Sequence, residues 1–272
     1  LMTLRLLSLF LLVALAMFAG DVSAQAPARS NTVPQESNDS SNMAPEEETD
    51  IEVVEEYVPS RQYAVVLDPG HGGHDLGVRS SKSQLEKSIA MKLASAIRSK
   101  IRNKYANVTV HLTREGDLER SLLRRLEFAN SKKADLFLSI HTSGGFSPQS
   151  LPVDIFIPGN STRASAEEWV ALNRPYKNKN KLFAKSLSRH LQSVVKGRDI
   201  EIVASDRLML EGLAMPAAMI EPLDLSNPQD EMLIENDSYI NQIASAIAKG
   251  IIDYLGVRDP APETEEPEES NE

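Results

Sequence analysis

Tyr63-Ala64-Val65-Val66-Leu67-Asp68-Pro69-Gly70-His71-Gly72-Gly73 runs from a compact apolar segment into a turn dense in glycine and proline. A short apolar run bounded by turn residues reads as a strand buried on both faces. The glycines of the turn permit unusual backbone angles and close approach of other groups. His71 sits at its tip. Taken alone, the turn fits either an exposed histidine or a ligand delivered by a strand end.

Working outward, Leu85, Ile89, Leu93, Ile97 and Ile101 recur every four residues, which places them on one helical face. Val108, Val110 and Leu112 alternate with polar residues, as a strand does. Leu122 to Ala129 reads as a short helix, and Leu136 to Ile140 as a second buried strand. Val153-Asp154-Ile155-Phe156-Ile157 reads as a strand that stops at Pro158-Gly159. Phe183, Leu187, Leu191 and Val194 mark a helix, and Ala217 to Ile220 a short strand. Asn227-Pro228 is a helix start, with asparagine capping and proline at the first helical position. Tyr239 to Tyr254 closes the pattern as an amphipathic helix. This alternation predicts an α/β fold: one domain, a twisted, mostly parallel sheet flanked by helices on both faces.

The flanks read differently. Leu6 to Gly20 is apolar apart from Ser8, follows Arg5, and leads to Asp21-Val22-Ser23-Ala24. That layout predicts a secretory signal peptide over residues 1–24, with an uncleaved anchor as the alternative; the run is shorter than the roughly 20 apolar residues of a bilayer span. Residues 25–60 read as a disordered acidic linker and 258–272 as a disordered acidic tail, both poor in periodicity and rich in Pro and Glu. The formal net charge is −10, yet residues 61–257 carry 26 Lys+Arg and 22 Asp+Glu. The acidity therefore belongs to the flanks and says little about the ligand of the folded part. Cysteine is absent, which excludes disulfides, a lipidated cysteine, zinc-thiolate sites and a thiol nucleophile. The expected location is the cell envelope, periplasm or exterior, with no membrane span in the mature chain.

Three chemistry-bearing residues share one position in this reading. His71, His141 and Glu221 each follow the C-terminal end of an expected strand. In an open α/β sheet, ligands bind outside those ends. A carboxylate directly after Ala217-Ala218-Met219-Ile220 is unusual unless paired or functional. Glu86 opens the long helix off its apolar stripe, where an acid also suits the helix dipole. Spacing alone does not separate those two roles.

Residues 63–255 resemble the zinc-dependent N-acetylmuramoyl-L-alanine amidases. The matching stretches are Leu67 to Gly73, Leu85-Glu86-Lys87, Leu112-Thr113-Arg114, Ala134 to His141, Met215 to Glu221, and Leu225-Ser226-Asn227-Pro228. The resemblance implies one zinc ion held by His71, Glu86 and His141, with Glu221 as the catalytic carboxylate. Two histidines and one glutamate leave zinc a fourth position for water. The implied substrate is peptidoglycan, cut between N-acetylmuramic acid and the L-alanine of the stem peptide. Thr142-Ser143 stands where the family usually has Ala-Asn, and Pro222-Leu223 where it usually has Gly-Phe. These departures keep two alternatives in view: a peptidoglycan-binding pseudoenzyme, and a zinc peptidase that cuts within stem peptides.

Other residues are read as structural or solvated. His74 and Asp75 follow the glycine turn and read as an exposed loop, with a part in shaping the pocket as the alternative. His111 and His190 read as structural or boundary histidines. Arg174, Lys177, Lys179, Lys181, Lys185 and Arg189 form a basic stretch that reads as a solvated face, with attraction of anionic wall polymers as the alternative. The segment around Trp169 is short for an inhibitory insertion, though Glu167 and Glu168 are candidates for one. No nucleic-acid reader motif is present. A protein activator is left open by the sequence.

Overall fold

The computed structural model describes residues 61–145, 152–159 and 172–259. The expected signal peptide and acidic linker, the part of the expected tail beyond Asp259, and the stretch holding Glu167, Glu168 and Trp169 lie outside the described residues.

Six strands form one sheet in the order β2-β1-β3-β6-β4-β5. They are β1 Tyr63–Pro69, β2 Val108–Leu112, β3 Leu136–Ile140, β4 Val153–Pro158, β5 Ile200–Ser205 and β6 Ala217–Glu221. β2, β1, β3 and β6 run parallel. β4 is antiparallel to β6, and β5 is parallel to β4. The sheet is therefore mostly parallel, as expected, with a reversed pair at one edge. Five α-helices accompany it among the described residues: α1 Glu86–Arg102, α2 Leu122–Ser131, α3 Lys177–Leu191, α4 Pro228–Glu235 and α5 Asp237–Leu255.

Alternation along each central strand splits the core in two. Val65, Leu67, Leu136, Leu138, Ile140, Ala218 and Ile220 point to the face covered by α1, α3 and α5. Val66, Phe137, Ala217 and Met219 point to the other face, with Leu126 and Ala129 of α2 and Leu210 of a short 3-10 turn. Both faces are buried, so the central strands read as continuous apolar runs rather than alternating ones. On α1 the four-residue stripe Ile89, Leu93, Ile97 and Ile101 is buried, as its spacing requires.

Local chemistry sets the helix ends. Asn227 Oδ1 accepts from the Gln229 and Asp230 amides at the start of α4, and Pro228 occupies its first position. α5 ends on Gly256 in the left-handed region, φ 68°. The sequence reading missed β5. This strand lies at the sheet edge with Glu201 and Ile202 exposed, so it lacks the buried run that marks the others. Among the described residues no helix is long and apolar enough to cross a membrane.

Candidate metal centre

The sheet register brings the site together. Pro69 of β1 aligns with Ile140 of β3, and Ile140 with Ile220 of β6. The Gly70 amide donates to the Ile140 carbonyl at 2.9 Å, and the His141 amide to the Ile220 carbonyl at 3.0 Å. His71, His141 and Glu221 therefore emerge side by side at the C-terminal edge of three parallel strands. Glu86 reaches the same point as the first residue of α1. Its amide donates to the Val78 carbonyl at 2.9 Å, which ties the helix start to the loop leaving the His71 turn.

His71, Glu86 and His141 offer ligand atoms that all lie within 4.8 Å of one another. Glu86 is 2% exposed, and both of its oxygens are fully used. Oε1 faces His141 Nδ1 at 2.9 Å and accepts from the Thr142 amide at 3.0 Å. Oε2 faces His71 Nε2 at 3.0 Å and accepts from the Val78 amide at 2.8 Å. Burial alone would raise the carboxyl pKa. The two imidazoles and the Val78 amide outweigh it and hold the group well below the usual carboxylate range. Glu86 is thus an anion at any ordinary pH. The two imidazole rings meet edge-on, with centroids 4.9 Å apart.

The residues fit a zinc ion on the chemistry of the donor set. Nitrogen and carboxylate oxygen ligands suit zinc, and two histidines with one acid leave a fourth position open. His141 Nε2 is buried and has no hydrogen-bond partner.

Two glycines make room for this set. A Cβ on Gly70 would lie 2.3 Å from His141 Cε1. A Cβ on Gly77 would lie 2.6 Å from Glu86 Oε2 and 2.7 Å from His71 Cδ2, and Gly77 has φ +65°. Only glycine meets both demands there.

Asp75 is exposed, as the sequence predicts, and also realises the alternative that it shapes the site. Its side chain is well exposed, but its Oδ1 lies 2.8 Å from His71 Nδ1. A carboxylate on one imidazole nitrogen favours the proton there and leaves the lone pair on the other. Burial would lower the His71 pKa; Glu86 and Asp75 together raise it instead.

Glu221 is 8% exposed, and its Oε1 lies 3.3 Å from Arg207 Nη1. Burial pushes its carboxyl pKa up, and the Arg207 cation pulls only partly against that. The Arg207 guanidinium is stacked 3.8 Å over the Phe156 ring. Arg207 follows β5, which no sequence periodicity marks, so nothing in the pattern ties it to the site.

The two departures surround the site in different ways. The Thr142 contact with Glu86 uses the main chain, which any residue but proline supplies. The Ser143 amide donates to the Leu223 carbonyl at 2.9 Å, and the Leu225 amide to the Ser143 carbonyl at 2.8 Å. Both segments thus continue the β3–β6 pairing past Pro222, which cannot donate.

The remaining candidates stand apart. His74 is exposed. His111 stacks edge-on to Phe128 at 6.4 Å, and His190 Nε2 lies 3.3 Å from Asp253. Arg174, Lys177, Lys179, Lys181, Lys185 and Arg189 are all exposed. Arg189 pairs with Asp253 at 2.8 Å.

Comparison with known proteins identifies the family and the fold. The family model for N-acetylmuramoyl-L-alanine amidase matches residues 65–253. The N-acetylmuramoyl-L-alanine amidase AmiA of Escherichia coli K12 is 29% identical over 222 residues, covering 70% of this chain and 75% of that one. An N-acetylmuramoyl-L-alanine amidase crystal structure from Clostridium difficile 630 superposes with a TM-score of 0.63 at 28% identity, covering 73% of this chain and all of that one. The CwlD amidase of Clostridioides difficile, solved in complex with the GerS lipoprotein, gives a TM-score of 0.61 at 25% identity, covering 72% and 100%. With the matched region spanning most of the chain and every strand that carries the site, this protein belongs to the N-acetylmuramoyl-L-alanine amidase family.

Proposed function

We propose that this peptidoglycan amidase is zinc-dependent, with His71, Glu86 and His141 holding the ion and Glu221 acting as the catalytic carboxylate. The observation that carries the reading is the convergence of two imidazoles and a buried carboxylate at the mouth of three parallel strands, with Glu221 on the neighbouring strand end. Zinc, when bound, polarises the scissile carbonyl and acidifies water. The rest falls to the chain. Glu86 supplies a fixed negative charge that compensates part of the cation. Asp75 orients the His71 ring. Glu221, whose carboxyl pKa burial raises, is in its ionised form suited to take a proton from water and then pass one to the leaving amine. The net reaction adds water across the amide between the lactyl group of N-acetylmuramic acid and L-alanine. It yields a carboxylate and a free L-alanine amine.

The proposed organisation is a signal peptide over 1–24, an acidic linker over 25–60, the catalytic domain over 61–257 and an acidic tail over 258–272. On that reading the protein is exported and works in the periplasm or outside the cell. The complex of the CwlD relative with a lipoprotein supports a role for a protein partner here as well.

Glu221→Gln tests the assignment. It keeps shape and removes the base. Zinc stays bound at parental stoichiometry and turnover falls by about 10²–10⁴-fold, the usual weight of a positioned acid–base group. Near-parental turnover would remove Glu221 from this role.

A further inference from the structure

We propose that Arg114 and Arg125 are positioning residues, which lock the His71 turn to the start of the Glu86 helix and thereby set the geometry of the ligand set. The proposal rests on the zinc reading above. Both side chains are almost wholly buried, at 1% and 4% exposure. Arg125 forms one ion pair, from Nη1 to Asp68 Oδ1 at 2.9 Å, and Arg114 forms none among the described residues. Two neighbouring buried cations with a single carboxylate make a costly core.

What the guanidinium groups do is collect main-chain carbonyls. Arg114 Nε donates to the Pro69 carbonyl at 2.9 Å, and its Nη1 to that of Gly116 at 2.6 Å. Arg114 Nη2 donates to the Gly70 carbonyl at 2.8 Å and to the Lys87 carbonyl at 2.7 Å. Arg125 Nη1 donates to the Pro69 carbonyl at 2.8 Å, and Nη2 to the His71 carbonyl at 2.6 Å. Three consecutive carbonyls, at 69, 70 and 71, are thus held as the chain leaves the sheet. They belong to a turn in which His71 has φ 57°, a conformation that a histidine seldom adopts unless its surroundings impose it.

Arg114 Nη2 is the direct link. One nitrogen joins the residue before His71 to the residue after Glu86. Beneath the pair, Asp68 is fully buried and accepts from Arg125, from Thr113 Oγ1 and from Ser139 Oγ at 2.9 Å. Thr113-Arg114 follows β2, and Arg125 lies on α2, so the two flanking elements that supply no ligand are the ones that hold the ligands in place. Only the planar fork of arginine bonds several carbonyls at fixed angles; lysine keeps the charge and loses the fork.

The test uses the full chain with Arg114→Lys, Arg125→Lys and, as a milder variant, Thr113→Val. Zinc affinity is measured by competition with a chromophoric chelator, and ligand geometry by the absorption spectrum of the cobalt-substituted protein. Unfolding midpoints are recorded in parallel. Leu187→Ala, a fully buried residue of α3 away from this network, serves as a control that loses stability alone. The lysine variants lose about 10–100-fold in zinc affinity, the range for groups that orient ligands, and their cobalt spectra change. Thr113→Val shows a smaller loss in the same direction, and Leu187→Ala binds zinc like the parent despite its lower midpoint. Parental zinc affinity and cobalt spectra in the arginine and threonine variants would overturn the proposal while leaving the zinc reading intact. So would a loss in Leu187→Ala equal to theirs. A parent chain that binds no zinc would instead remove the reading on which the proposal stands.

Discussion

Gly77→Ala isolates the packing of the metal centre from ordinary backbone strain. Gly77 has φ +65°, and an added Cβ would fall 2.6 Å from Glu86 Oε2 and 2.7 Å from His71 Cδ2. The backbone part of the cost is about 1–2 kcal/mol for an L-residue in the left-handed region. The overlap adds about 1–3 kcal/mol, the usual range for overpacking. Gly197 is the internal control: its φ is +81°, and an added Cβ there meets nothing within 4 Å. Gly197→Ala therefore carries only the first cost. The overlap at Gly77 is relieved by moving Glu86 or His71, which are the proposed ligands. If the movement is charged to metal binding, about 1–3 kcal/mol corresponds to roughly 5- to 150-fold weaker zinc affinity. Urea denaturation of the zinc-free proteins gives the stability difference, and chelator competition gives the affinity. Gly197→Ala keeps parental zinc affinity; Gly77→Ala loses it and is the less stable of the two. Equal stability and equal zinc affinity in the two variants would refute the reasoning.

Two further outcomes follow from the site. Asp75→Asn removes the charge that orients His71 through Nδ1 and weakens zinc binding by about 10–100-fold, measured by the same competition assay. Arg207→Met acts on Glu221. Burial raises that carboxyl pKa and Arg207 opposes the rise, so losing the cation raises it further. In the proposed role Glu221 must be ionised, so activity falls as pH drops through its pKa. The acid limb of the kcat/KM profile therefore moves to higher pH in Arg207→Met, and an unmoved or lowered limb would contradict the assignment.

Much of this was legible in the sequence because burial on both faces leaves a plain signature. β1, β3 and β6 are short apolar runs, and each ends on a residue or turn that carries chemistry. The convergence of His71, His141 and Glu221 required only that these strands be parallel, which they are. Glu86 was legible as an acid off its helix's apolar stripe; its four polar contacts were not. What stayed hidden has a common cause. Asp75 looks like any acid in a glycine-rich loop, because its contact depends on the left-handed turn at His71. β5 is an exposed edge strand with no buried face to mark it, and Arg207 was lost with it. Arg114 shows in the sequence only within the matching stretch Leu112-Thr113-Arg114, and Arg125 in none, because nothing in the pattern marks a cation that buries. Only the fold reveals that they turn inward to the carbonyls of residues 69–71.

The central claim is tested most directly by digesting purified peptidoglycan with the zinc-stripped protein before and after zinc is restored, with mass analysis of the soluble products. The account predicts no release without zinc, and release of intact stem peptides bearing a new L-alanine amine once zinc returns. Products cut within the stem peptide would favour the peptidase alternative. Wall binding without release, with zinc demonstrably in place, would contradict catalysis by the chain alone.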